Sequence, residues 1–226
     1  MGLDAQVLVA LGLGVAAVLV RPTWRVVRYP VTAVHELGHV VVAVLLGGRV
    51  PRVRLWRDTS GVTTWRTTQA GRLRSALIAL AGHAAPPAVG AACAWALALD
   101  QARGALVGLT VLVAVITLAI RNLWGLVVCA ALAGLCWIAW SRGPDAGAVL
   151  VAATAAVLCV GSVRATAEEL VTNQRGGRGG GAHGGTSDTQ VAGRALHLPA
   201  AVAGAALLLW ALACTGVATW RLAVAV

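Results

Sequence analysis

The chain has 226 residues, 59% of them hydrophobic and only 12% charged, and its mean hydropathy is +0.82. Soluble domains carry about 25% charged residues, so the composition excludes a soluble globular protein and points to a membrane protein. The net charge of +10 comes from 18 arginines with no lysine. The arginines cluster between apolar runs, as membrane topology requires, and no nucleic-acid-binding motif accompanies them, so nucleic acid is not an expected partner.

Apolar segments fall at 5–20, 31–46, 74–99, 104–120, 123–140, 146–165 and 199–219. A helix needs about 20 residues to cross a bilayer core of about 30 Å. The segments predict an all-α polytopic membrane protein with about six to seven transmembrane or re-entrant helices, in one domain over 1–226. The first segment is expected to be a helix and not a signal peptide. It lacks a basic leader and runs into Arg21-Pro22 instead of small residues. Arg21, Arg25 and Arg28 then predict a basic loop.

Segment 31–46 either spans or re-enters, and it carries His35-Glu36-Leu37-Gly38-His39. On a helix, residues four apart share a face, so His35 and His39 can present their imidazoles to one metal ion. Zinc is the expected metal. Glu36, one residue on, can reach a water beside it and act as the base. Two histidines and a glutamate are costly in an apolar helix, and metal coordination accounts for all three together.

Residues 49–72 break the helical pattern. Val53, Leu55, Val62 and Trp65 interleave with Arg52, Arg54, Thr63 and Arg66, and Asp58-Thr59-Ser60-Gly61 supplies turn residues. This predicts a β-hairpin, which next to lipid must lie at the interface or against helices. Segment 74–99 is long enough to tilt, or to kink at Pro86-Pro87. Cys93, Cys129, Cys136, Cys159 and Cys214 all lie in apolar segments without a close pair. They read as packing residues, not as a disulfide or metal framework. Residues 173–187 form a polar, glycine-rich loop without phosphate-binding spacing.

Four spans separate the hairpin from this last loop, which places both on one side of the membrane. Arginine is concentrated there, so the positive-inside rule makes that side cytoplasmic and leaves Arg103 and Arg142 outside.

A catalytic zinc takes three protein ligands and keeps one position open. Only eight acidic residues are available. Asp188 is the favoured third ligand, because it follows the glycine loop on the side of the hairpin. Ser187 or Asp188 could instead cap a helix, and Glu168 or Glu169 could supply the ligand. His83 reads as a packing or hydrogen-bonding histidine, with a substrate or oxyanion role as the alternative. His183 and His197 read as surface residues. Asn122, between two apolar runs, is either functional or interfacial.

Ala33-Val34-His35-Glu36-Leu37-Gly38-His39, then Leu46-Gly47-Gly48-Arg49-Val50, then Ser60-Gly61-Val62-Thr63, resemble the site-2 protease family of intramembrane zinc metallopeptidases, in its short bacterial branch. The resemblance implies His35 and His39 as ligands and Glu36 as base. It also implies a membrane-associated hairpin that holds an extended substrate strand beside the zinc. Val53, Leu55, Gly61 and Val62, with His83, are the candidate substrate-binding residues. The family's usual Asn-x-x-Pro and later Leu-Asp-Gly pattern is absent, as is an inserted PDZ domain, and the third-ligand role falls at Ser187-Asp188. The implied function is hydrolysis of peptide bonds in or near a transmembrane helix of another membrane protein, within the lipid bilayer of a bacterial cell. The alternative is a non-catalytic metal-binding membrane protein, a transporter or assembly factor. Against a transporter, the chain shows no repeated halves. Oligomeric state, substrate identity and cleavage site are not legible in the sequence.

Overall fold

The computed structural model describes residues 4–66, 71–174 and 186–225, without the side chain of Arg66. These residues form α1 (Ala5–Leu19), α2 (Arg21–Leu45), β1 (Arg49–Leu55), β2 (Gly61–Arg66), α3 (Arg72–Ala98), α4 (Ala102–Ala119), α5 (Leu123–Arg142), α6 (Pro144–Gln174), α7 (Asp188–Leu196) and α8 (Ala200–Val224). Five helices, α3 to α6 and α8, are long and apolar enough to cross a membrane, and the bent pair of α1 and α2 raises the number to as many as six. The chain is thus a mostly helical, multi-pass integral membrane protein with a two-stranded hairpin after the histidine helix. Most of the glycine-rich loop, residues 175–185 with Arg175, Arg178 and His183, lies outside the described residues.

The interior is built from small side chains. Ala10, Ala94, Cys93, Val151, Ala152, Ala155 and Cys159 form one buried cluster where α1, α3 and α6 meet. Where helices approach closely a glycine is present: a Cβ at Gly14 would press on Ala156, and one at Gly90 on Cys159. Lipid tails are as apolar as leucine, so association inside a bilayer comes from such close packing and not from burying large side chains. Leu13, Leu118, Leu123, Trp137, Leu209 and Trp220 accordingly point outward. All five cysteines are buried and free, as packing residues should be.

One sequence expectation needs correction here. The basic loop at Arg21, Arg25 and Arg28 is helix: α2 starts at Arg21 and runs through Pro30 without ending. Proline costs a helix one backbone hydrogen bond. Here Val20 already makes the break, with extended backbone, and Pro22 lies in the first turn where no bond is lost. The two helices meet there at 108°. Glu168 and Glu169 follow the apolar segment 146–165, on the continuation of α6, which has 31 residues. Similarly, α3 continues through Pro86 and Pro87, both fully buried.

The hairpin is antiparallel, with Val53 opposite Thr63 and Leu55 opposite Gly61. Side chains alternate across a strand. One face therefore carries Val53, Leu55, Gly61 and Thr63, and the other carries Arg52, Arg54 and Val62. The first face lies on α2, where Val53 and Leu55 are fully buried with Ala33, Leu37 and Val40. The outer edge of β1 is occupied: Ile120 bridges to Val53 and Arg121 N–H donates to the Val53 carbonyl at 2.9 Å. Asn122 completes this edge. Its Oδ1 accepts from Leu55 N–H at 3.2 Å and its Nδ2 donates to the Leu55 carbonyl at 2.6 Å, as a neighbouring strand would. Among the described residues the outer edge of β2 has no strand partner.

Candidate metal centre

His35 and His39 lie one turn apart on α2 and face α3. Gly82 of α3 makes room for both rings, since a Cβ there would overlap the His39 ring and press on His35 Nε2. Gly38, between the histidines, lets the two backbones close up, because a Cβ there would run into the Ala81 carbonyl. His39 Nδ1–H donates to the Ile78 carbonyl at 2.7 Å. That bond fixes the tautomer and leaves the Nε2 lone pair free for a metal.

The third group arrives from α7. Asp188 Oδ2 lies 3.0 Å from His35 Nε2 and 3.1 Å from His39 Nε2, and the two Nε2 atoms are 3.1 Å apart. A tetrahedral zinc with bonds of about 2.0–2.1 Å holds its ligands about 3.3 Å from one another. Three ligand atoms converging on one point, with one face left open, fit that ion. This is also the one group among the described residues whose histidine, cysteine and carboxylate atoms converge as a metal site does. Burial works against charge on Asp188, but the adjoining His39 and His35 hold its carboxyl well below the usual carboxylate range, so it is present as a ligand-ready carboxylate.

The cap and the candidate ligand are different residues. Ser187 is the N-cap of α7 and accepts from Gln190 N–H, which leaves the next residue, Asp188, free to face the histidines. The other two carboxylates are engaged elsewhere. Glu168 pairs with Arg28 at 3.2 Å and Arg164 at 2.8 Å, and Glu169 meets His83 at 2.5 Å. His83 is buried inside α3, its ring edge-on to His35, with Nδ1 3.2 Å from Thr166 Oγ1. His197 is exposed and meets Arg72.

Glu36 turns to the hairpin. Thr63 Oγ1 donates to Glu36 Oε2 at 2.5 Å. A Cβ at Gly61 would overlap the same carboxylate, so this glycine is where the strand makes space for it. Thr32 Oγ1, one turn before Glu36 on α2, donates to the Thr59 carbonyl at 2.9 Å and ties the turn down. Histidines, Glu36 and Asp188 all line one cavity of about 480 Å³, which Gly61, Val62, Thr63 and His83 also border. Of the hairpin residues named from the sequence, Gly61 and Val62 border this cavity, whereas the side chains of Val53 and Leu55 are buried against α2 and do not. Thr63, Gly82 and the Asn122 edge were not singled out for these roles. Asn122, a polar residue between apolar runs, and Thr63, in the Ser60-Gly61-Val62-Thr63 stretch, carried a sequence signal, and Gly82 carried none.

A membrane-embedded helical bundle with a two-histidine, one-carboxylate cluster and a neighbouring buried glutamate has the layout of an integral-membrane metallopeptidase. The model of the Peptidase M50B-like family matches residues 8–218, and the chain belongs to that family, whose members are site-2-protease-like. Membership implies a metal-dependent peptidase. No curated protein and no solved structure matches the chain.

Proposed function

We propose that the chain is a zinc-dependent intramembrane endopeptidase that cuts membrane-protein substrates in or near a transmembrane helix. The observation that carries this reading is the convergence of His35 Nε2, His39 Nε2 and Asp188 Oδ2, at 3.0–3.1 Å, in one cavity with the buried Glu36. Bound there, zinc supplies a Lewis acid that polarises a carbonyl and acidifies water. Glu36 then takes the proton of the attacking water and returns it to the leaving nitrogen. Thr63 and Gly61 hold the carboxylate in place for both transfers.

A helical substrate hides its amides in its own hydrogen bonds, so it has to unwind before cleavage. The outer edge of β2, which has no strand partner among the described residues, is available to pair with the unwound stretch. The closed edge of β1 supports the same choice. Gly61 and Val62 are the hairpin residues suited to meet that strand, with His83 at the cavity wall. Helices weakened by glycine or proline should be preferred substrates. Hairpin and α7 lie on one side, which the arginine distribution assigns to the cytoplasm of a bacterial cell. Release of a membrane-held regulator is the biological role that fits.

The reading of a non-catalytic metal carrier has no use for a glutamate buried at Thr63 beside the metal ligands. The test is cleavage of a membrane-inserted substrate by the parent and by Glu36→Gln. Loss of cleavage with the fold and zinc intact supports the peptidase. Equal cleavage by the variant would refute it.

A further inference from the structure

The reaction leaves one largely buried carboxylate unused. Glu169, near the end of α6, has a side chain only 14% exposed. Both of its oxygens are engaged, and by different helices. Oε2 accepts from His83 Nε2 of α3 at 2.5 Å, and Oε1 accepts from Thr189 Oγ1 of α7 at 2.7 Å. Thr189 is fully buried and is the residue next to Asp188. One turn further along α6, Asn173 Nδ2 donates to the same Thr189 Oγ1 at 2.9 Å and to Ser187 Oγ at 3.2 Å. Asp188 is thus flanked on both sides by residues tied to α6.

A helix of nine residues has little stability of its own. Its position must come from what it touches. We infer that Glu169, with Asn173, is a positioning residue for the metal site: it clasps α7 to α6 and α3 and so fixes Asp188 opposite His35 and His39. His83 is the second arm of the clasp. Its Nε2–H is spent on Glu169 and its Nδ1 on Thr166, so from its place in the cavity wall it holds the carboxylate with both ring nitrogens engaged. The inference rests on the reading of Asp188 as the third metal ligand. Partners that orient a ligand without touching the metal commonly change metal affinity by about 10–100-fold.

The experiment is zinc affinity of the full-length protein in detergent, by competition with a chromophoric chelator, together with the unfolding temperature of the zinc-free form. The variants are Glu169→Ala, Glu169→Gln, Thr189→Val and Asp188→Ala. Thr189→Val keeps the volume and removes only the hydroxyl. Glu169→Gln can keep both bonds, since its amide oxygen accepts from Thr189 and its NH₂ donates to His83 in the other tautomer. Glu169→Ala and Thr189→Val should weaken zinc about tenfold or more, with Glu169→Gln close to the parent. If those two bind zinc as the parent does while Asp188→Ala loses it, the clasp is wrong, even if their zinc-free forms melt early. If Asp188→Ala itself binds like the parent, the reading of Asp188 as ligand fails, and the clasp fails with it.

Discussion

Two glycines separate the two halves of the chemistry at the scale of single residues. Gly82 opens the space that the histidine rings occupy, and Gly61 opens the space that the Glu36 carboxylate occupies. A methyl group at either position has to displace its neighbour. Gly82→Ala should therefore lower zinc content in detergent-purified protein, whereas Gly61→Ala should leave zinc in place and lower the cleavage rate. Zinc loss in both, or in neither, would contradict the assignment. Thr63 offers a finer test. Its hydroxyl bonds a buried carboxylate at 2.5 Å, and a hydrogen bond to a charged group contributes about 1.5–3 kcal/mol. Thr63→Val should slow turnover about tenfold or more at unchanged zinc content, and Thr63→Ser should restore most of the rate. A Val variant as fast as the parent would remove Thr63 from the site.

At the scale of elements, the loop joining α4 to α5 acts as a third strand for the hairpin. Ile120, Arg121 and the Asn122 side chain cover β1, so among the described residues β2 keeps the open edge. Asn122→Ala leaves the Leu55 N–H and carbonyl without their partner, at a cost of about 1–3 kcal/mol. Amide exchange at Leu55 should rise and cleavage should fall, with zinc unaffected. Unchanged exchange would mean that the edge is held by Ile120 and Arg121 alone.

The elements differ in how far the sequence revealed them. His35, Glu36 and His39 were legible because their relation is one helical turn, fixed locally. The hairpin was legible from its alternation and turn residues. Asp188 was reachable only by counting spans, because its link to the histidines crosses 149 positions of sequence. Val53 and Leu55 were named as candidate substrate-binding residues, since alternation shows that a strand has two faces but not which one meets a helix. Gly61, Thr63, Gly82 and Thr189 act through contacts between elements, and no periodicity encodes those. The start of α2 was missed because Arg21, Arg25 and Arg28 read as a basic loop, whereas the break is at Val20 alone.

At the scale of the whole molecule, α6 is the strut that joins membrane packing to the site. Its 31 residues extend about 46 Å, more than the roughly 30 Å bilayer core. The excess carries Glu168, Glu169 and Asn173 to the level of the hairpin and α7. Glu168 joins Arg28 and Arg164 there, and Arg164 also reaches the Val18 and Leu19 carbonyls at the end of α1. The α1–α2 elbow and the candidate third ligand are thereby referred to one helix. The topology that follows can be checked with membrane-impermeant thiol labelling. Cysteines placed at Arg57 and Thr186 should react from the same side, taken as cytoplasmic, and one at Arg142 from the opposite side. Labelling of Arg57 and Thr186 from opposite sides would break the arrangement that brings Asp188 to the histidines.

The central claim is a three-ligand zinc site with a separate base. Elemental analysis of the purified, metal-replete protein tests it most directly, in the parent and in His35→Ala, Asp188→Ala and Glu36→Gln. The account predicts about one zinc per chain in the parent, retained in Glu36→Gln and lost from the other two. A parent without zinc, or an Asp188→Ala variant that keeps it in full, would contradict the account.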